Sequence, residues 1–238
     1  MDSQSTWAQA KWTEEARQLI NGLNQFPENS KIILVIRHSH RNSIESLNDM
    51  DNMKLTSIGH KIAEIFGSKL PKNKPIRLFY SPIERCKETA EDILLGFKNV
   101  SGDGILKEPL DVLYDIGIEA DYFFDESLKY PFAQFLYRWV ANLYPTGKIT
   151  PFHTFCQNAA NIIWKKNDDA PNKTIDVHVS HDLIILSFRL GWFGLSPVGR
   201  WPSFLGGFAF NINQDNILVF DGDKLFAAEI PYWWINKE

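Results

Sequence analysis

The sequence predicts an α/β domain built on a mixed sheet, and three observations carry that expectation. A run of five aliphatic residues, Ile32 to Ile36, has the character of a strand buried on both faces. Two further apolar segments, Ile76 to Tyr80 and Ile175 to Ser180, also end in polar residues that open helical patterns. Strand ends of this kind are where open α/β sheets bind ligands. With 238 residues and 44% hydrophobic content, the chain is long enough to bury a large core in one domain.

In chain order, Met1 to Ala10 is polar apart from Trp7 and lacks the apolar centre of a secretory signal. An amphipathic helix is expected over Glu14 to Leu23, then the first strand from Ile32, then a polar loop through Asn42 to Met53. Thr56 should cap a helix whose Ile58, Ile62, Ile65 and Phe66 form one buried stripe. Ile76 to Tyr80 is the next strand, with Ser81 as N-cap and Pro82 as first helical residue, placing Arg85 in the first turn. A loop containing Gly102 and Gly104 leads to an aromatic insertion that includes Tyr122, Phe123, Phe132, Phe135, Trp139 and Tyr144. It reads as a helical cap, roughly residues 100–170, with a helix from Pro151 to Lys166, and most of its rings are expected in the core. After a strand at Ile175 to Ser180 and a helix beyond His181, Gly206 to Ile212, Asn216 to Phe220 and Leu225 to Ile230 read as antiparallel strands. Trp233 and Trp234 are expected to pack against the sheet.

The chemistry gathers at the strand ends. Arg37-His38-Ser39-His40-Arg41 places an imidazole among guanidiniums, which grip phosphate oxygens and disfavour protonation of the ring. A neutral ring nitrogen is then available to attack phosphorus. Arg85 near a helix N-terminus adds a second phosphate-holding group, and Ser180-His181-Asp182 delivers a histidine and a carboxylate to a third strand end.

Taken together, these segments resemble the histidine phosphatase superfamily, which includes phosphoglycerate mutase-like enzymes and histidine acid phosphatases. The resemblance rests on Arg37-His38-Ser39-His40-Arg41, Leu55-Thr56-Ser57-Ile58-Gly59, Ser81-Pro82 with Arg85 and Thr89-Ala90, and Ser180-His181-Asp182. It implies a single domain over residues 1–238 with the three-layer phosphoglycerate mutase-like fold, a mixed, mostly parallel sheet flanked by helices. It implies that His38 becomes phosphohistidine, that Arg37, Arg41 and Arg85 hold the phosphoryl oxygens, and that His181 completes the pocket. Two departures stand out: Ser39 replaces the family's usual glycine, and Asn42-Ser43 stands where the acid phosphatases place a proline. The proton donor is expected to be Asp182, which matches the acid phosphatase position; the alternative is Asp115, in the segment from which the mutase-like branch takes its acid.

The expected activity is phosphomonoester hydrolysis, with Arg41 and Asp182 tipping the choice away from a phosphoglycerate mutase-like transferase. A metal-dependent hydrolase using His38, His40, His181 and Asp182 is opposed by the arginines, which repel a dication. A non-catalytic phosphate-binding module is opposed by the completeness of the set. No cofactor is called for. A net charge of -4 without a long basic run argues against nucleic acid, and no stretch reaches membrane-spanning length. Cys86 and Cys156 offer neither a disulfide framework nor zinc spacing, which suits a cytoplasmic location. A small phosphorylated substrate is expected; the sequence fixes neither its identity nor the oligomeric state.

Overall fold

A computed structural model describes residues 2–43 and 52–235. Most of the polar loop expected from Asn42 to Met53 lies outside these residues. Helix α1 (Ser3–Gln9) was not expected from the polar N-terminus; Asp2 caps it by accepting from the Ser5 N–H at 2.8 Å. Trp7 on α1 is buried edge-on against Phe66. Helix α2 (Glu14–Leu23) follows a 3₁₀ turn at Lys11–Thr13 and matches the amphipathic helix read from the sequence.

Seven strands form one sheet: β1 (Ile32–Arg37), β2 (Ile76–Tyr80), β3 (Gly104–Pro109), β4 (Ile175–Ser180), β5 (Gly207–Ile212), β6 (Ile217–Asp221) and β7 (Lys224–Ala228). Their order is β3-β2-β4-β1-β5-β6-β7. Parallel pairing joins β3, β2, β4 and β1, and antiparallel pairing joins β1 to β5, β5 to β6 and β6 to β7. Five strands therefore share one direction, and the sheet is mostly parallel. The edge strand β3 stands where the sequence predicts a loop, because Gly-Ile-Leu-Lys-Glu-Pro has weak alternation and stays largely uncovered.

Alternation along β1 separates the two faces. Ile32, Leu34 and Ile36 enter a core with Leu19, Phe66, Ile93 and Phe97 from α2, α3 (Ser57–Lys69) and α4 (Glu84–Asn99). Ile33 and Val35 enter the opposite core with Phe155, Trp164, Ile185 and Phe188 from α7 (Phe152–Asp168) and α8 (Asp182–Phe193). The result is three layers, helices on both faces of the sheet, as the resemblance implied. The aromatic insertion forms α5 (Ala120–Lys129) and α6 (Phe132–Val140). Its rings divide: Phe135, Trp139 and Tyr144 are buried, whereas Phe124 and Tyr137 are exposed. A short α9 (Tyr232–Ile235) brings Trp233 and Trp234 onto Trp164, with ring centroids 5.6 and 4.8 Å away. Among the described residues no helix is long and apolar enough to cross a membrane.

Register decides where the chemistry meets. Arg37 pairs with Ser180, and Tyr80 pairs with Val179, so the residues that follow, His38, His181 and Ser81, leave the sheet at one edge. Thr56 caps α3 as expected, its hydroxyl accepting from the Gly59 N–H at 3.1 Å. Ser81 does not cap α4. Its N–H continues the sheet pairing by donating to the Val179 carbonyl at 3.0 Å, and the helix starts only at Glu84, with Ile83 at the cap. Arg85 nevertheless stays in the first turn.

Candidate active site

His38 follows the last residue of β1 and is 2% exposed. Its backbone N–H donates to the Ser180 carbonyl at 2.9 Å, locking the loop to β4. Nδ1 lies 2.8 Å from the Ser39 carbonyl oxygen, which can only accept, so Nδ1 carries the proton and Nε2 keeps its lone pair. Burial, followed by His181, Arg85 and Arg37, holds the His38 pKa well below 6.5. The ring is thus neutral, with its Nε2 lone pair uncommitted to a proton.

His181 faces it, with ring centroids 5.4 Å apart. The Arg85 Nη2 donates to its Nδ1 at 3.2 Å; arginine has no acceptor, so the His181 proton sits on Nε2 and is given to the Ser81 hydroxyl at 2.9 Å. Burial and then Arg85, Arg37 and Arg41 keep this ring neutral too, with its pKa well below 6.5. The Ser81 oxygen thus holds His181 and also accepts from the Ile83 N–H at 3.4 Å, just ahead of α4.

Ser39 resolves the expected glycine departure. It keeps a negative φ, so the loop does not require the left-handed region, and its hydroxyl donates to the Gly59 carbonyl at 2.7 Å. Its N–H donates to Thr89 Oγ1 at 3.0 Å. The loop is thereby tied to α3 and α4 at once. Gly59 is needed in turn, because a Cβ there would come within 2.2 Å of the His40 carbonyl oxygen.

Arg37, Arg41 and Arg85 converge on this edge. Burial lowers the Arg41 pKa first, then the charges of Arg37 and Arg85, while Asp182 offsets them. Three fixed cations against one carboxylate leave a surplus suited to a phosphoryl dianion. Among the described residues, the buried Nε donors of Arg37 and Arg41 have no hydrogen-bond partner. Such donors are costly to leave unmet and are suited to an anionic ligand. A cavity of about 330 Å³ opens beside them, lined by Arg37, His40, Arg41, Asn42, Ser43 and Phe204. His40 lies at this wall, with Nδ1 2.9 Å from the Thr56 hydroxyl.

The two carboxylates differ. Asp182 opens α8; Oδ1 accepts from the Leu183 N–H at 2.9 Å, and Oδ2 accepts from Trp201 Nε1 at 3.0 Å and from Arg37 Nη2 at 2.9 Å. Every partner is a donor, so the group is placed to anchor Arg37. Asp115 is exposed and accepts from the Gly117 N–H at 2.7 Å, and it directly follows Tyr114, whose ring lies 5.4 Å from that of His181. Sequence reasoning missed the segment that holds Arg37 from the other side. Pro202 accepts from Arg37 Nη1 at 3.0 Å, and the Phe204 ring lies 4.6 Å from the guanidinium carbon. No short-range signal marks these residues, which lie more than 160 positions from Arg37 in the chain.

Of the other histidines, His60 bonds Asp92 at 2.7 Å, His178 is buried in β4, and His153 lines a separate cavity beside Trp139 and Phe152. Among the described residues there is no cluster of three or more His, Cys, Asp or Glu arranged to hold a metal ion.

Solved structures with the same fold include the mycobacterial glucosyl-3-phosphoglycerate phosphatase in complex with VO3, at 15% identity and a TM-score of 0.55, covering 85% of this chain and 100% of that one. The phosphoserine phosphatase of Entamoeba histolytica, in complex with 3-phosphoglyceric acid, matches at 16% identity and a TM-score of 0.53 over 85% of this chain and 98% of its own. A comparison with curated proteins finds no match. The family model of the histidine phosphatase superfamily, branch 1, matches residues 33–212, a span holding His38, all three converging arginines and both candidate carboxylates. The chain belongs to the histidine phosphatase superfamily.

Proposed function

We propose that the protein is a phosphomonoesterase that hydrolyses a small phosphorylated substrate through a phosphohistidine on His38. The observation that carries this reading is the state of the His38 ring: its proton is committed to the Ser39 carbonyl, and its free Nε2 lies among fixed guanidiniums. In the first step Nε2 attacks phosphorus, the bond from phosphorus to the ester oxygen breaks, and a carboxylic acid protonates the departing alkoxide. In the second, water attacks the phosphohistidine, the same carboxylate takes its proton, and phosphate leaves with Nε2 restored. Arg37, Arg41 and Arg85 stabilise the equatorial oxygens, and His181 donates to one of them after exchanging its Ser81 contact.

The proton donor in this reading is Asp115, with Asp182 as the positioning residue for Arg37. Three donors already meet Asp182, whereas Asp115 is exposed beside the ring that touches His181. The branch 1 match also favours the segment that supplies the acid in mutase-like members. Release of phosphate from p-nitrophenyl phosphate tests the activity. Wild type should turn over with and without EDTA, and His38→Ala should be inactive; equal release by both proteins would refute the proposal, and loss on chelation would transfer the chemistry to a metal.

A further inference from the structure

The family model begins at residue 33, yet the helical segment before it reaches the site. We infer that Glu15, on α2, is a positioning residue for Arg37, acting through the loop that joins α8 to β5. The inference rests on the proposed phosphate site and extends it beyond the matched region.

Glu15 is a three-way clamp. Its Oε1 accepts from Arg200 Nη2 at 2.9 Å, and its Oε2 accepts from the Ser203 N–H at 2.8 Å and the Ser203 hydroxyl at 2.9 Å. Gly206 leaves room for it, since a Cβ there would lie 2.2 Å from Glu15 Oε2. Between these anchor points the loop holds Arg37 on several sides. The Pro202 carbonyl accepts from Nη1, and Phe204 supplies a ring 4.6 Å from the guanidinium carbon. The Arg37 N–H donates to the Gly206 carbonyl at 2.9 Å, and its own carbonyl accepts from the Leu205 N–H at 3.1 Å. Trp201, in the same loop, donates to the Asp182 oxygen that also meets Arg37.

The loop is not self-supporting. Leu205 is fully buried at a φ of 58°, a left-handed conformation that a leucine keeps only where its surroundings over-determine it. The charge-assisted bonds to Glu15 supply that constraint on one side, and the Arg189–Asp221 pair beneath Arg200 supplies it on the other. Trp12, on the turn before α2, adds a wall behind the pocket, its ring 5.1 Å from His40 and 5.9 Å from Phe204. A carboxylate far from phosphorus thus sets where a phosphate-holding guanidinium stands.

The test is a double-mutant cycle between Glu15 and Arg37, read as the dissociation constant of inorganic phosphate by calorimetry, which needs no turnover. Glu15→Ala should weaken phosphate binding about tenfold in the wild-type background and less than about twofold in the Arg37→Ala background. Glu15→Gln, which keeps the shape and one acceptor, should fall between wild type and Glu15→Ala, and it reads the same cycle if the alanine variant does not fold. Equal effects in both backgrounds, or a lowered Tm with unchanged phosphate affinity, would overturn the inference. Phosphate binding without hydrolysis by the wild type would instead refute the hydrolase reading and leave this cycle to be read; absence of phosphate binding by a wild type that hydrolyses p-nitrophenyl phosphate would overturn the inference alone.

Discussion

Removing the imidazole of His178 should flatten the acid limb of the stability curve. The ring lies wholly buried in β4, stacked on Phe79 at 4.9 Å and 10°, with neither nitrogen hydrogen-bonded among the described residues. Burial is the main reason its pKa falls from 6.5 to about 4; Asp176 opposes the shift, and Arg77 and Lys166 add to it. In the unfolded chain the ring takes up a proton as pH falls through 6.5, whereas the folded chain refuses that proton until about 4. Stability is therefore lost as the solution is acidified through this window. Integrated from pH 7 to pH 5, this one group removes about 2 kcal/mol. His178→Leu conserves volume approximately and discards two unpaired buried nitrogens, so at pH 7 its stability should stay within about 1.5 kcal/mol of wild type. Urea unfolding followed by tryptophan fluorescence at both pH values gives the comparison. The variant should lose about 2 kcal/mol less than wild type on acidification. His38 and His181 act with the same sign in both proteins and cancel in the difference. Equal losses would show that the folded state protonates His178 readily, and the reasoning about its burial would fall.

Other expectations concern the ion pairs and the acid. Arg77 makes a bidentate pair with the fully buried Asp176 at 2.6 and 2.7 Å; Arg77→Met leaves that carboxylate with Asn167 as its remaining side-chain donor and should cost about 3 kcal/mol in a denaturant titration. Asp115→Asn should slow an alkyl phosphate about a hundredfold while sparing p-nitrophenyl phosphate, whose leaving group needs no acid. Asp182→Asn should slow both esters alike and raise KM, and a selective effect on the alkyl ester would return the donor role to Asp182. The buried thiol of Cys86, pushed up to about 12 by burial, should resist iodoacetamide at pH 8 until the protein is unfolded.

The parts of this molecule legible in its sequence are those encoded locally. Ile32 to Ile36 announces a central strand because a strand covered on both faces has no polar alternation, and the residues at its end are fixed by that strand alone. The same holds for Thr56, whose cap is a contact with the residue three positions on. Ser81 was misread because its local signature is that of an N-cap, while the contact that claims its hydroxyl comes from His181, a hundred residues away. The loop around Arg37 was invisible for the same reason: Pro202 and Phe204 sit in an irregular segment, and nothing near them in sequence reveals an arginine beneath. Helix α1 and strand β3 escaped because neither buries a full periodic face. Asp182 carries the local signature of a proton donor beside His181, but its three donors are contributed by its own helix, β1 and the loop before β5, a combination only the folded chain displays.

Trapping the phosphoenzyme tests the central claim most directly. Wild-type protein mixed with a phosphate ester and quenched in alkali should carry an acid-labile, base-stable phosphate that maps to the peptide containing His38, and His38→Ala should carry none. Turnover by the wild type with no phosphate on His38 under rapid quenching, or the same labelling of His38→Ala, would contradict the account.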